Sequence, residues 1–240
     1  MLAAMKYFLS LAGLLAGLIC GLAGEVPTPL TLVIVGDSTV CEYPATNHVQ
    51  RGWGHFIPDY FDAGVKVVNL AKSGRSTKTF IKEGLWQKAL AAQPDIILIQ
   101  FGHNDSHAPT KPEATDANTD YRTNLCRYID ESRAAGATPI LVTPMVRRTF
   151  AADGQLNDEL QRYADAMKAV GAEKNVPVID LHASSKALVQ SLGLAESMKM
   201  ANKPDDFTHF NAAGAQKMAA LVMQELPAVS PALKAHLKKS

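Results

Sequence analysis

Five short apolar segments punctuate the chain, and none of them alternates between hydrophobic and polar residues. Such segments, rich in Val, Ile and Leu, are typical of strands that are buried on both faces of a parallel sheet. The longer stretches between them place apolar residues at helical spacing, as Tyr121, Leu125 and Tyr128 show. The pattern predicts strands at 30–35, 65–70, 96–101, 139–143 and 176–181, and helices at 119–135, 156–174 and 211–226.

Alternating strands and helices predict an α/β domain with a doubly wound parallel sheet. The sequence contains no internal repeat, low-complexity linker or break in composition, so we expect one domain. Of its 240 residues, 47% are hydrophobic and 20% are charged, which excludes a disordered, collagen-like or disulfide-stapled protein. The formal net charge is +1, and the short Lys-rich segment lies at the C-terminal end. A nucleic acid is therefore not the expected main partner.

The first residues predict an export signal that is separate from this domain. Lys6 precedes an apolar run over 7–20, and the small residues Gly21 and Ala23 follow it. A membrane anchor is the alternative, but the run is short for a bilayer span of about 20 residues. We therefore expect a signal peptide at 1–23 and a mature domain at 24–240. We also expect a secreted or periplasmic location, with no membrane association after cleavage.

Two cysteines, Cys41 and Cys126, remain after cleavage of the predicted signal. An oxidising compartment favours a disulfide bond between them. Buried cysteines also serve as small apolar residues, and the sequence leaves both interpretations open.

Polar residues follow the first three predicted strands, at the edge of the sheet where ligands bind in doubly wound folds. Ser38, after the first strand, is a candidate nucleophile. Gly74, after the second, lacks a side chain and lets a substrate oxygen approach a backbone N–H. Asn104, after the third, carries an amide that is able to donate to a developing oxyanion. Taken singly, each residue also fits a turn or a helix cap.

A fourth polar segment lies near the C-terminus, where Asp206 and His209 are three residues apart. A nucleophilic serine needs a base, and the base needs an acceptor that fixes its tautomer. These two side chains are suited to both roles. The alternative is a helix cap before Asn211 beside an incidental histidine. The four segments together favour serine catalysis.

The motifs resemble the four blocks of the SGNH (GDSL-type) hydrolases, in the same order along the chain. They extend over about 30–226 and are similar to those of the rhamnogalacturonan acetylesterases, secreted enzymes that remove acetyl groups from pectin. The residues that carry this resemblance are Gly36-Asp37-Ser38-Thr39-Val40, Gly52-Trp53-Gly54, Gly74-Arg75-Ser76, Gln100-Phe101-Gly102-His103-Asn104-Asp105, Thr143-Pro144, Asp206 and Thr208-His209-Phe210-Asn211.

The resemblance implies a flavodoxin-like three-layer α/β/α sandwich around a five-stranded parallel sheet. It implies that Ser38 is the nucleophile, that His209 is the general base and that Asp206 orients the imidazole. The oxyanion hole would consist of the Ser38 and Gly74 N–H groups and the Asn104 side chain. It implies no cofactor and an acetylated polysaccharide or oligosaccharide as substrate, with acetylated pectin expected and another plant glycan such as acetylxylan as the alternative.

Other interpretations concern residues near these motifs. His103 and Trp53 are candidate sugar contacts, and so are Trp86 and Tyr43, although aromatic residues in such segments are more often core. The alternation of His103, Asp105 and His107 allows a metal site, if the segment is extended. A glycan-binding module without catalysis is a further alternative.

Overall fold

The computed structural model describes residues 29–44 and 49–239. The predicted signal peptide lies outside these residues. One sheet of five strands forms the centre, and every neighbouring pair of strands is parallel, in the order β2-β1-β3-β4-β5. The strands are β1 (Leu30–Gly36), β2 (Val65–Asn69), β3 (Ile96–Gln100), β4 (Thr138–Val142) and β5 (Val178–Ile179).

The alternate residues of β1 point into two different cores, which explains the continuous apolar sequence from Leu32 to Val35. Leu32 and Ile34 are fully buried in one core, and Val33 and Val35 are fully buried in the other. Successive side chains of a strand point to opposite faces, so a strand covered on both sides needs apolar residues at every position.

Helices cover both faces of the sheet. They are a 3-10 helix (Trp53–Tyr60), α1 (Thr77–Lys82), α2 (Leu85–Ala91), α3 (Asp120–Ala134), α4 (Gln161–Lys174), α5 (Leu181–Met198), α6 (Ala212–Val229) and α7 (Pro231–Lys234). Helices α1 to α4 contribute to the core that contains Val33, and the 3-10 helix with α5 to α7 contributes to the core that contains Leu32. The expected three-layer α/β/α sandwich with a five-stranded parallel sheet is confirmed.

Two predicted elements differ from the observed ones. The expected strand at 176–181 is shorter, because Asp180 caps α5 by accepting a hydrogen bond from the backbone N–H of Ala183, so that Leu181 is already helical. The expected helix at 156–174 begins only at Gln161. Before it, the N–H of Leu156 donates to the Gln190 side chain of α5, which holds this segment in a loop.

Both described cysteines are free thiols, so the question left open by the sequence is answered against a disulfide. Cys41 is buried near Ser38, and Cys126 is half-buried on α3. Over 29–44 and 49–239, no helix combines the length and the apolarity needed to cross a membrane.

Candidate active site

Loops at the carboxyl edge of the sheet surround a cavity of about 230 Å³. Four of these loops follow β1, β2, β3 and β4, and the fifth precedes α6. The structure thus brings together the polar segments that the sequence analysis had selected. The lining residues are Ser38, Ser73, Gly74, His103, Asn104, His107, Arg147, Thr208 and His209.

Ser38, His209 and Asp206 form a continuous series of hydrogen bonds. The Nε2 atom of His209 lies 2.9 Å from Oγ of Ser38, and its Nδ1 atom lies 3.0 Å from Oδ2 of Asp206. In this geometry a neutral imidazole accepts the serine proton at Nε2 while Nδ1–H donates to the carboxylate. The series is therefore able to activate the serine as a nucleophile.

Hydrogen bonds hold the Asp206 carboxyl group in its charged form. Its Oδ1 atom accepts from the backbone N–H groups of Thr208 at 3.0 Å and His209 at 2.8 Å. Burial by itself raises the pKa of Asp206, but these bonds and the imidazole outweigh it, so the pKa of Asp206 is lowered. The carboxylate that orients His209 is thus ionised at neutral pH.

Three hydrogen-bond donors lie at the same cavity, where an oxyanion would form. In the described part of the chain, the backbone N–H groups of Ser38 and Gly74 donate to no protein acceptor. Gly74 has φ +78°, a left-handed conformation that favours glycine. The side-chain amide of Asn104 donates one hydrogen bond to the carbonyl of Arg75 at 3.0 Å, which fixes its orientation and leaves its second N–H for a ligand.

Asp105 ties the Asn104 loop to the beginning of α1. Its carboxyl oxygens accept from the backbone N–H of Thr77 at 3.1 and 3.2 Å, and Oδ1 also accepts from the hydroxyl of Thr115 at 2.9 Å. Burial raises the pKa of Asp105 to about 6, although the hydrogen bonds from the threonines oppose this shift. Asp105 is fully buried and is not among the residues that line the cavity, so it has a structural role beside Asn104.

Trp53 does not contact sugar, contrary to expectation, because it is fully buried beneath the Ser38 loop. Its indole Nε1–H donates to Oε1 of Gln100 at 2.7 Å, and Nε2 of Gln100 donates to the hydroxyl of Thr39 at 2.8 Å. The Thr39 hydroxyl in turn donates to Oδ1 of Asp37. This chain of hydrogen bonds fixes the loop that carries the serine.

Of the other two aromatic candidates, Trp86 is structural, whereas Tyr43 keeps part of its surface exposed. Trp86 is fully buried, and its Nε1–H donates to Glu131. Tyr43 is half-buried, and its hydroxyl donates to the carbonyl of Ser38 at 3.0 Å. Tyr43 thus supports the backbone of the candidate nucleophile from below.

His103 lines the cavity and forms a buried pair with Asp37. The Nδ1 atom of His103 lies 3.5 Å from Oδ2 of Asp37, and both side chains are almost completely inaccessible. Burial lowers the pKa of His103. Burial raises that of Asp37, but the nearby imidazole and the bonds from Thr39 outweigh it, so the pKa of Asp37 is lowered as well. Asp37 precedes Ser38 and His103 precedes Asn104, so this pair links the loops that carry these two residues.

The three residues of the metal interpretation do not converge. His103 faces Asp37, Asp105 faces Thr77, and His107 lies 2.6 Å from Glu113. The segment is a series of turns rather than an extended strand, so alternation in sequence does not place these side chains on one face. Within 29–44 and 49–239, no group of three His, Cys, Asp or Glu side chains is arranged to hold a metal ion.

Arg148 is a fully buried residue that the sequence analysis did not select. Its Nη2 atom donates to the carbonyls of Asp206 and His209, each at 2.7 Å, and its guanidinium lies 4.3 Å from the centre of the Phe210 ring. Burial lowers the pKa of Arg148 to about 10, so the group keeps its charge at neutral pH. These two hydrogen bonds hold in place the loop that carries His209. The only signal in the sequence was a charged pair, Arg147 and Arg148, shortly after an apolar strand.

The fold and this hydrogen-bonded series define the class of the protein as an α/β protein in which a serine, a histidine and an aspartate are linked in the arrangement of a serine hydrolase triad. The family model of the GDSL-like lipase/acylhydrolase family matches residues 34–217, a range that includes Ser38, Gly74, Asn104 and His209. The chain belongs to this family, and the expected SGNH (GDSL-type) hydrolase is confirmed.

Individual relatives agree with this assignment. The chain is 39% identical to the rhamnogalacturonan acetylesterase RhgT of Bacillus subtilis, over 87% of this chain and 94% of the relative. The crystal structure of YxiM from B. subtilis is 30% identical, with a TM-score of 0.75 over 86% of this chain and 58% of YxiM. A catalytic mutant of the acetylxylan esterase Axe2 from Geobacillus stearothermophilus shares the fold at 17% identity, with a TM-score of 0.67 over 84% of this chain and 96% of Axe2.

Proposed function

We propose that the protein is a secreted serine esterase that removes acetyl groups from acetylated rhamnogalacturonan. The observation that carries this proposal is the series Ser38–His209–Asp206, which ends with the serine hydroxyl in a small cavity. The substrate class is supported by the 39% identity to an enzyme named rhamnogalacturonan acetylesterase. The secreted location rests on the sequence pattern of residues 1–23.

The size of the cavity supports a small acyl group. At about 230 Å³ it is smaller than the roughly 300–1,000 Å³ that is usual for sites of drug-sized ligands. An acetyl group fits such a space, whereas the long acyl chain of a lipid does not. The open side of the cavity is then left for the sugar that carries the ester.

The reaction proceeds in two halves. Oγ of Ser38 attacks the acetyl carbonyl while Nε2 of His209 takes its proton, and the resulting oxyanion accepts hydrogen bonds from the N–H groups of Ser38 and Gly74 and from the Asn104 amide. The sugar hydroxyl leaves with the proton from His209. A water molecule, deprotonated by the same imidazole, then attacks the acetyl ester of Ser38. The imidazole returns this proton to Oγ of Ser38 as the ester bond breaks, which releases acetate and restores the free serine.

Release of acetate tests this proposal. Wild type, Ser38→Ala and the control Ser191→Ala are incubated with acetylated rhamnogalacturonan, acetylated xylan and p-nitrophenyl acetate. Ser191 is an exposed residue on α5, outside the cavity, whose hydroxyl donates to a helical carbonyl. We expect release from the pectic polymer that Ser38→Ala abolishes and Ser191→Ala leaves intact.

Two results contradict the proposal in different ways. Serine-dependent release that is faster from xylan than from the pectic polymer would retain the mechanism and overturn the substrate. Equal activity of Ser38→Ala and wild type would overturn the mechanism itself.

A further inference from the structure

A second cavity, of about 320 Å³, lies beside the catalytic one. His107 lines both cavities and forms the boundary between them. The second cavity is large enough for a small-ligand site, for which roughly 300 Å³ is the lower end of the usual range. Its other lining residues come from α1, the loop after β3, the start of α3 and α4: Lys78, Pro109, Ala114, Thr115, Asp116, Asp120 and Arg162.

Two cationic side chains line this second cavity without forming an ion pair. Lys78 donates to the carbonyl of Ala114 at 2.6 Å, and the guanidinium of Arg162 lies over the ring of Tyr163 and donates to its hydroxyl at 3.2 Å. Among the described residues, neither cation has a carboxylate oxygen within 4.0 Å. By contrast, Arg147 of the catalytic cavity is paired with Glu159. Two such cations are free to pair with a carboxylate on a ligand.

Two carboxylates, Asp116 and Asp120, also line the second cavity, and among the described residues neither comes within 4.0 Å of Lys78 or Arg162. Oδ1 of Asp116 accepts from the backbone N–H of Asn118 and from the hydroxyl of Thr119, which commits it to a turn. Asp120 is the first residue of α3, where the helix N-terminus favours a negative charge. Their remaining oxygens are acceptors for sugar hydroxyls. The cavity therefore offers partners both for hydroxyl groups and for a carboxylate.

The wall of the second cavity is connected to the loop after β3 that carries Asn104. The hydroxyl of Tyr163 lies 3.0 Å from the carbonyl of Asp105 and 2.6 Å from that of Thr115. Thr115 lines the second cavity, and Asp105 follows Asn104 in sequence. These hydrogen bonds fix this wall of the second cavity relative to the loop that carries Asn104.

We propose that the second cavity binds a uronate unit of the polysaccharide that carries the acetyl ester, with Lys78 and Arg162 pairing with its carboxylate. This inference rests on the proposed function and specifies how the enzyme distinguishes an acidic polymer from a neutral one. Xylan lacks such a carboxylate in its backbone, so it would gain nothing from the two cations.

Direct binding tests the inference without requiring acetate release. A rhamnogalacturonan oligosaccharide and a neutral xylo-oligosaccharide are titrated calorimetrically into the Ser38→Ala protein, alone and with Lys78→Met, Arg162→Met or both. Lys88→Met, an exposed lysine of α2 outside both cavities, is the matched control. We expect the acidic ligand to bind about tenfold more weakly to the double variant, since charge-assisted contacts are lost, and this difference to shrink at high salt.

Three results would overturn the inference. Affinity for the acidic oligosaccharide that is unchanged in both single variants and in the double variant overturns the inference, as does the absence of binding to the Ser38→Ala protein. Equal weakening for the neutral ligand, or from Lys88→Met, also overturns it. Arg162 is exposed, so its single variant remains informative even if Lys78→Met unfolds. Failure of the proposed function would appear separately, as a lack of Ser38-dependent acetate release.

Discussion

Replacement of Arg148 by methionine separates the positioning of the imidazole from the stability of the fold. Methionine fills much of the same buried space but has no N–H to donate. The variant therefore loses both hydrogen bonds to the carbonyls of Asp206 and His209, and also the contact with the Phe210 ring.

The opposing free energies only partly offset each other for folding. Two hydrogen bonds from a charged donor contribute roughly 1.5–3 kcal/mol each, and a desolvated cation–π contact contributes about 2 kcal/mol. Against them stands a desolvation penalty of several kcal/mol for a buried guanidinium. We expect Arg148→Met to lower the free energy of unfolding by about 2 kcal/mol. Its effect on turnover is larger, because a displacement of a catalytic group by about 1 Å costs on the order of 100-fold.

The assay measures kcat for p-nitrophenyl acetate together with unfolding in urea. Arg148→Lys retains a charged donor and should recover part of the lost kcat. Arg133→Met is the matched control, because Arg133 also donates to two main-chain carbonyls, those of Lys174 and Asn175, but lies away from the cavity.

A folded Arg148→Met protein with the kcat of wild type would refute the reasoning. So would an equal loss of kcat in Arg133→Met, because the effect would then follow from stability alone.

Three further predictions concern the same loops. Asn104→Ala should lower kcat for p-nitrophenyl acetate about 100- to 1,000-fold in steady-state assays, with little change in KM, since it removes one oxyanion donor; an unchanged kcat would contradict this role. Asp105 has a pKa raised from 3.8 to about 6 in the folded state, so its proton stabilises the fold at low pH, and this stabilisation is lost as the pH rises from about 4 to 6. The difference in unfolding free energy between wild type and Asp105→Asn, from urea titrations, should therefore fall by about 2 kcal/mol over that range, and a constant difference would contradict the shift. Trp53→Phe should cost about 1–3 kcal/mol of stability in the same titrations by leaving Oε1 of Gln100 without its donor, while KM for the polymer stays the same; a raised KM would restore Trp53 as a sugar contact.

The sheet could be predicted from the sequence because both of its faces are buried. A strand such as β3, Ile96–Gln100, is then apolar up to its last residue and stands out from the amphipathic helices around it. The same criterion failed at 176–181, where a mostly apolar segment contains both a two-residue strand and, after Asp180, the start of α5. Periodicity over so short a run does not separate the two, whereas the cap at Asp180 does.

The residues of the candidate site could be predicted from the sequence only where they directly follow a strand, or where two of them are three positions apart in one loop. Ser38, Asn104 and His209 satisfy these conditions. Arg148 could not be assigned a role in advance, because its partners are carbonyl groups 58 and 61 residues later in the chain. The prediction that Trp53 contacts sugar was wrong for a similar reason. Trp53 is buried, and its hydrogen-bond partner Gln100 lies 47 positions away in the sequence.

Trapping the acetyl ester of Ser38 tests its role as the nucleophile most directly. Wild type and Ser38→Ala are quenched in acid during turnover of p-nitrophenyl acetate, and their peptides are analysed by mass spectrometry. We predict one acetyl group on the peptide that contains Ser38 in the wild type and none on the corresponding peptide of the variant. Turnover without any acetylated peptide, or with acetyl on a different residue, would contradict the proposed mechanism.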